Sequence, residues 1–87
     1  MKVKIFWQDD CPHCPAAKEL GKQLEAEGIE VRYYNVKTLE GLTEASFYSV
    51  LSTPGIIIIN DEEEEVVGWR GTTPSKEEMY HYLNGSE

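Results

Sequence analysis

Cysteine is scarce in this chain, two residues in 87, which excludes a small scaffold stapled by several disulfides. Basic residues are also few: Lys and Arg number 8 against 16 Asp and Glu, a formal net charge of −8 with a pI near 4.7. So acidic a surface repels phosphate backbones and anionic lipid headgroups, and neither nucleic acid nor a membrane is expected as a partner. Long apolar runs are missing as well. The longest uncharged stretch, Val50 to Asn60, contains Pro54 and Gly55 and falls far short of the roughly 20 residues that a membrane-spanning helix needs. Met1 to Trp7 is followed at once by Gln8-Asp9-Asp10, too short an apolar segment for a secretory signal, so a cytoplasmic location is expected. There is no internal repeat and no linker, and residues 1–87 read as a single domain.

What is present is ordinary globular composition, 40% hydrophobic and 28% charged residues. A chain of this length hides only roughly 60–65% of its unfolded surface, which leaves no room for a large buried polar site.

Val3, Ile5 and Trp7 alternate with Lys2, Lys4 and Phe6, and this period-two pattern predicts a strand from about Lys2 to Trp7. Ala17, Leu20 and Leu24 then recur at helical spacing, predicting an amphipathic helix from Pro12 to Glu27 stopped by Gly28. A second strand is expected over Ile29 to Val36 and a shorter helix over Leu42 to Leu51. Gly55-Ile56-Ile57-Ile58-Ile59 has no polar face, so it belongs in the middle of a sheet covered on both sides. Asn60-Asp61 starts a turn, and Glu65-Val66-Val67 returns as a hairpin strand. The Glu62 to Glu65 run reads as a solvated tip, since it lacks the Asp and Gly spacing of a calcium loop. Gly68 to Thr72 is expected as a loop. A last helix runs from about Pro74 to Leu83, begun either by Thr73 before Pro74 or by a Ser75-Lys76-Glu77-Glu78 capping box. The order strand, helix, strand, helix, strand, strand, helix implies an α/β fold with a four-stranded mixed sheet and helices on both faces.

Both cysteines fall in one Cys11-Pro12-His13-Cys14 motif, just beyond the first strand. In a reducing cytosol a persistent disulfide is disfavoured, and so short a loop adds little stability, which leaves redox cycling or metal binding. With Cys11 as helix N-cap and Pro12 at the first helical position, an exposed Cys11 sulfur faces the N–H groups of His13 and Cys14. Those donors and the positive helix end hold a thiolate, lowering its pKa below the free value of about 8.5. Asp9 and Asp10 oppose this, and His13 helps when protonated. Cys14, deeper in the first turn, attacks second and resolves the mixed disulfide formed at Cys11. Pro15 biases Cys14 away from helical angles, a local conflict of the kind found at functional sites.

Phe6-Trp7 ending a strand, Cys11-Pro12-His13-Cys14 opening a helix, and Thr53-Pro54 before a β-branched strand, hairpin and helix together resemble the thioredoxin superfamily, in particular its small glutaredoxin-like members, over nearly the whole chain. The resemblance implies a thioredoxin-like βαβαββα fold. It implies a thiol–disulfide oxidoreductase without a bound cofactor, acting as a monomer on protein disulfides, recharged by a thioredoxin reductase-like enzyme or by glutathione. Cys11 and Cys14 would be catalytic, and Pro12, His13, Thr53 and Pro54 would meet substrate. A cis peptide bond before Pro54 is implied, leaving backbone groups of Thr53 free to pair with a substrate strand. Three departures stand out. Asp10 replaces the tryptophan usual just before the first cysteine. Ile5 replaces a buried acid, so deprotonation of Cys14 by that acid is not carried over. Gln8-Asp9-Asp10 and Gly68-Trp69-Arg70-Gly71-Thr72 replace the basic residue and the Gly-Gly-Asp of glutathione-using members. Pro12-His13 is similar to the dipeptide of strongly oxidising periplasmic members.

The alternative is an iron–sulfur cluster or metal binding module without redox turnover. Zinc would need more ligands than Cys11, His13 and Cys14 supply, with His81 on the last helix, while a cluster would need thiolates from two chains. His81, Tyr33, Tyr34 and Tyr48 read as packing or surface residues. Trp69 and Arg70 are candidates for the border of the site.

Overall fold

The computed structural model describes residues 1–84. Its elements are β1 (Lys2–Trp7), α1 (Cys14–Ala26), β2 (Glu30–Asn35), α2 (Leu39–Phe47), β3 (Gly55–Ile59), β4 (Glu65–Arg70) and α3 (Lys76–Leu83). The sheet order is β2-β1-β3-β4. β1 and β2 are parallel, joined through α1, whereas β3 runs antiparallel to both β1 and β4. This is the expected thioredoxin-like α/β arrangement, a mixed four-stranded sheet with helices on both faces.

Two apolar layers hold it together, and strand alternation assigns residues to them. Val3 and Ile5 of β1 and Ile56 and Ile58 of β3 pack with Ala17, Leu20 and Leu24 of α1 and Met79 of α3. Phe6, Ile57 and Ile59 face the other way, onto Ala45, Tyr48 and Val50. All five residues of β3 are buried, as its unbroken apolar run requires.

Several boundaries differ from the sequence expectation. α1 begins at Cys14 with His13 as N-cap, not at Cys11 and Pro12, and the proline of its first turn is Pro15. Proline is favoured at the start of a helix because it lacks the N–H that would have no partner there. α1 ends at Ala26 with Glu27 as its C-cap, and the chain turns away at Gly28, whose φ of +92° suits glycine. α2 lies three residues earlier than expected, because Thr38 caps it by accepting the Gly41 N–H at 3.0 Å. It ends before Ser49, at φ +58°, so Val50 and Leu51 are outside it. Of the two possible starts for α3, Ser75 is the cap and accepts the Glu78 N–H at 3.0 Å.

β4 continues to Arg70, so Gly68 to Arg70 are strand rather than loop. A Cβ on Gly68 would meet the Arg70 guanidinium and the Glu65 carboxylate; its absence leaves room for the Arg70–Glu65 ion pair at 2.8 Å. Lys4, to which the sequence pattern gave no role, is buried. Both faces of β1 are covered, and Lys4 is only 5% exposed. Its ammonium donates to Glu44 Oε1 at 2.7 Å and lies 3.4 Å from both Tyr48 Oη and Glu63 Oε1. Burial works to lower its pKa, but the hydrogen bonds to Glu44 and Tyr48 and the neighbouring negative charge win and raise it. Glu63 also pairs with Lys2 at 3.7 Å, so the acidic run is not uniformly a free tip: Glu63 pairs with lysines of β1, and Glu65 with Arg70 at the other end of its own strand.

Candidate active site

β1 delivers the chain to the carboxyl edge of the sheet at Trp7, whose carbonyl accepts the Val36 N–H at 3.0 Å. Two successive tight turns then lead into α1: the Cys11 N–H donates to the Gln8 carbonyl at 3.4 Å, and the Cys14 N–H to the Cys11 carbonyl at 3.3 Å. The second turn brings the cysteines together. Their Cα atoms are 5.3 Å apart and their sulfurs are joined as a disulfide. Pro12 and His13 occupy the exposed outer corner between them.

Cys11 is not the openly exposed residue expected from the sequence. In the disulfide it is 7% exposed and Cys14 2%, and both line a small pocket with Trp7, Pro15 and Lys18. Cys11 is nevertheless the outer of the two. The donor pattern also differs from the expectation. With the helix starting at Cys14, one of its first N–H groups already serves the Cys11 carbonyl, and Pro15 has none to offer, so the helix end presents fewer free donors than a Cys11 cap would have met.

The disulfide borders a pocket of about 90 Å³ whose wall includes Trp7, Gln8, Asp9 and Lys18. The Lys18 ammonium lies 3.3 Å from the centre of the Trp7 ring, a cation–π arrangement. Neither Trp7 nor Lys18 was marked as a site residue by sequence reasoning. The available signal was Lys18 four positions after Cys14, hence on the same helical face.

Thr53 and Pro54 approach from the loop before β3, and their peptide bond is cis, as the resemblance implied. Gln8 ties this loop to the cysteine turn by donating its Nε2 hydrogen to Thr53 Oγ1 at 3.0 Å. The Pro54 carbonyl accepts the Gly71 N–H at 2.8 Å. Among the described residues nothing pairs with the backbone N–H or carbonyl of Thr53. Beyond Thr53 opens a larger groove of about 320 Å³, floored by Ala45 and Val50, flanked by Leu42 and Leu51, with Lys37 at its rim. Gln8 lines both cavities.

The remaining candidates lie elsewhere. Trp69 packs edge-on against Tyr82, 5.9 Å between ring centroids, and Arg70 donates to the carbonyl oxygens of Tyr48 and Ser49, so both brace the fold beside the loop rather than line the cysteine pocket. His81 stacks edge-on with Tyr82 on α3. Tyr34 stacks on Phe6, and Tyr48 donates to the Glu63 carbonyl at 2.9 Å. Among the described residues no group of three or more His, Cys, Asp or Glu side chains converges as a metal site, and no helix is long and apolar enough to cross a membrane.

A four-stranded α/β sheet carrying a Cys-x-x-Cys pair beyond β1 and a cis-proline loop before β3 defines a thioredoxin-like protein. Comparison with known proteins agrees. The family described as thioredoxin domain matches residues 1–84. A thioredoxin of Methanocaldococcus jannaschii is 36% identical over 66 residues, 72% of this chain and 75% of that protein. A probable thioredoxin of Archaeoglobus fulgidus is 36% identical over 61 residues, 69% of this chain and 66% of that one. Among solved structures, thioredoxin 1 from Thermosipho africanus superposes with a TM-score of 0.68 at 22% identity, covering 97% of this chain and 91% of that one. The chain belongs to the thioredoxin family.

Proposed function

We propose that this chain is a protein thiol–disulfide oxidoreductase that acts as a monomer in the cytoplasm and reduces protein disulfides at the expense of its Cys11–Cys14 dithiol. The observation that carries the reading is the Cys11–Cys14 bond at the sheet edge, tied through Gln8 to Thr53, whose backbone is unpaired. Cys11, the outer sulfur, attacks a substrate disulfide as the thiolate and forms a mixed disulfide while one substrate thiolate leaves and takes a proton. Cys14 then loses its proton and attacks Cys11; the second substrate thiolate leaves, and the Cys11–Cys14 disulfide closes. Two electrons pass from the dithiol to the substrate. Thr53 offers its N–H and carbonyl to an extended substrate strand in the manner of strand addition, with Pro54, Pro12 and His13 around the reacting sulfurs.

The reduced state is regenerated by a thioredoxin reductase-like enzyme. Glutathione suits the site poorly, since Asp9 and Asp10 are both exposed beside the cysteines and repel its carboxylates. The test is catalytic reduction of insulin disulfides, with either a thioredoxin reductase and NADPH or glutathione as the sole reductant. Turnover is expected with the reductase, with glutathione much slower at equal thiol concentration. Equal or faster turnover with glutathione contradicts the assigned donor, and no reduction of insulin by the isolated dithiol contradicts the function.

A further inference from the structure

The step least supported by the residues described so far is the second one, in which the nearly buried Cys14 must give up its proton. Burial raises a thiol pKa, since it disfavours the anion. Helix-end donors give limited help, because the Cys14 N–H is already committed to the Cys11 carbonyl and Pro15 has no N–H. The neighbouring carboxylate in the pocket wall, Asp9, acts in the wrong direction, as does Asp10 beside it. Ile5 is buried in the apolar layer and offers no base. One cation does line the cysteine pocket, Lys18.

Lys18 is four residues beyond Cys14 in α1 and therefore on the same face, where neighbouring Cβ atoms are about 5–6 Å apart. Its freedom is reduced. The side chain is half-buried, and the ammonium sits 3.3 Å from the Trp7 ring centre. Trp7 is itself anchored at the end of β1, paired with Asn35 of β2 and accepting the Val36 N–H. The ammonium is thus held over the Trp7 ring, at the wall of the pocket that Cys14 also lines.

We propose that Lys18, pinned by Trp7, is the positioning residue of the resolving step: its charge stabilises the Cys14 thiolate that attacks the mixed disulfide. The inference rests on the exchange reaction proposed above and deepens it. The Cys14 proton passes to water, the Cys14 Sγ–Cys11 Sγ bond forms, the Cys11–substrate S–S bond breaks, and the departing thiolate takes up a proton from solvent. Lys18 remains an ammonium throughout. The other charges near the pair are Asp9 and Asp10, which oppose the thiolate, and His13, which supports it only when protonated; Glu19 and Lys22 of α1 lie outside the pocket wall.

The two steps can be watched separately with 4,4′-dithiodipyridine, a neutral disulfide that avoids attraction to Lys18. The reduced protein releases one equivalent of thiopyridone when Cys11 attacks and a second when Cys14 resolves the adduct. In Lys18→Met the first phase is expected to change little. The midpoint of the pH profile of the second phase should rise by about one unit, the scale of one lost neighbouring charge. A thiolate of higher pKa is also the better nucleophile, so below both midpoints the tenfold loss of thiolate is offset to a net slowing of about threefold, and above them the variant should be about threefold faster. Lys18→Arg should keep the wild-type profile. A wild-type protein that releases a single equivalent overturns the exchange reaction, and this inference with it. Two equivalents from the wild type but a second phase in Lys18→Met that superimposes on it, or that slows equally at every pH, overturns the role of Lys18 and leaves the exchange reaction standing.

Discussion

Lys4 shows how one side chain can be both unforeseen and decisive. Alternation along β1 records only that Lys4 shares a face with Phe6, not that α2 covers that face. Its ammonium links β1, α2 and the β3–β4 hairpin through Glu44, Tyr48 and Glu63. Removing the partners of a buried charge is worse than replacing the charge by an apolar group. Glu44→Ala combined with Glu63→Ala should therefore lower stability by roughly 3 kcal/mol, whereas Lys4→Met, which keeps the volume and leaves two carboxylates that water can reach, should change it by about 1 kcal/mol or less. Urea denaturation of the two variants checks this; a Lys4→Met protein less stable than the double alanine variant would contradict it. At the same scale, the cysteine pair was legible because its chemistry is written in the residue types, whereas the cis Thr53-Pro54 bond was legible only through the family resemblance. Lys18 and Trp7 were not, since their partnership depends on how β1 meets α1.

Among the elements, β3 was legible to the residue, for four consecutive isoleucines admit no solvent face. α2 was misplaced because its patterning is weak: Leu39, Leu42 and Phe47 are 83%, 55% and 74% exposed, so its large apolar residues do not mark its buried face. The informative signal was Thr38, whose hydroxyl donates to the Asn35 carbonyl at 2.8 Å while accepting the Gly41 N–H. Thr38→Ala should cost roughly 0.5–2 kcal/mol by loss of this cap. Gly41 is a second constraint, since a Cβ there would run into the backbone carbonyl of Asn35, which cannot swing aside as a side chain could. Gly41→Ala should cost roughly 1–3 kcal/mol, and a helix start that tolerates both changes without loss of thermal or urea stability would show that α2 is not anchored in this way. Because Leu42 and Ala45 of α2 line the larger groove, either variant should also weaken turnover of protein disulfides more than that of small disulfides.

For the molecule as a whole, several groups titrate abnormally on the alkaline side. Burial, aided by the hydrogen bond to Glu25, pushes the Tyr33 phenol up to about 12. Burial also raises Tyr34, the hydrogen bond to Glu27 raises Tyr80, and Lys4 is raised by its partners. In each case the folded chain holds the proton more tightly than the unfolded chain. The associated stability is complete below the unfolded values and is lost as pH rises through the folded ones, for Tyr33 between its ordinary 10.0 and about 12. On the acid side Glu27 is held low by its hydrogen bonds to Lys76 and Tyr80, so its contribution is present above the ordinary carboxylate range and disappears as pH falls through the lowered value. Urea midpoints should be nearly flat from about pH 6 to about pH 9 and fall above about pH 10, with Tyr33→Phe softening the fall. A midpoint that instead rises steadily above pH 10 would contradict the assignment. The order of strands and helices, and hence the placing of the cysteines at the sheet edge, followed from sequence. The tilt of the first turn did not: whether Cys11 or His13 caps α1 is decided by competition between Pro12 and Pro15 for the first helical turn, and sequence alone leaves that contest open.

The claim on which the account stands is that Cys11 receives the substrate and Cys14 releases it. Incubating Cys11→Ser and Cys14→Ser separately with an oxidised protein substrate, followed by non-reducing separation and mass mapping of the cross-linked peptides, tests it most directly. Cys14→Ser should accumulate a mixed disulfide through Cys11, and Cys11→Ser should accumulate little or none. An adduct that forms readily at Cys14 in Cys11→Ser, with none at Cys11 in Cys14→Ser, would reverse the two roles and contradict the mechanism.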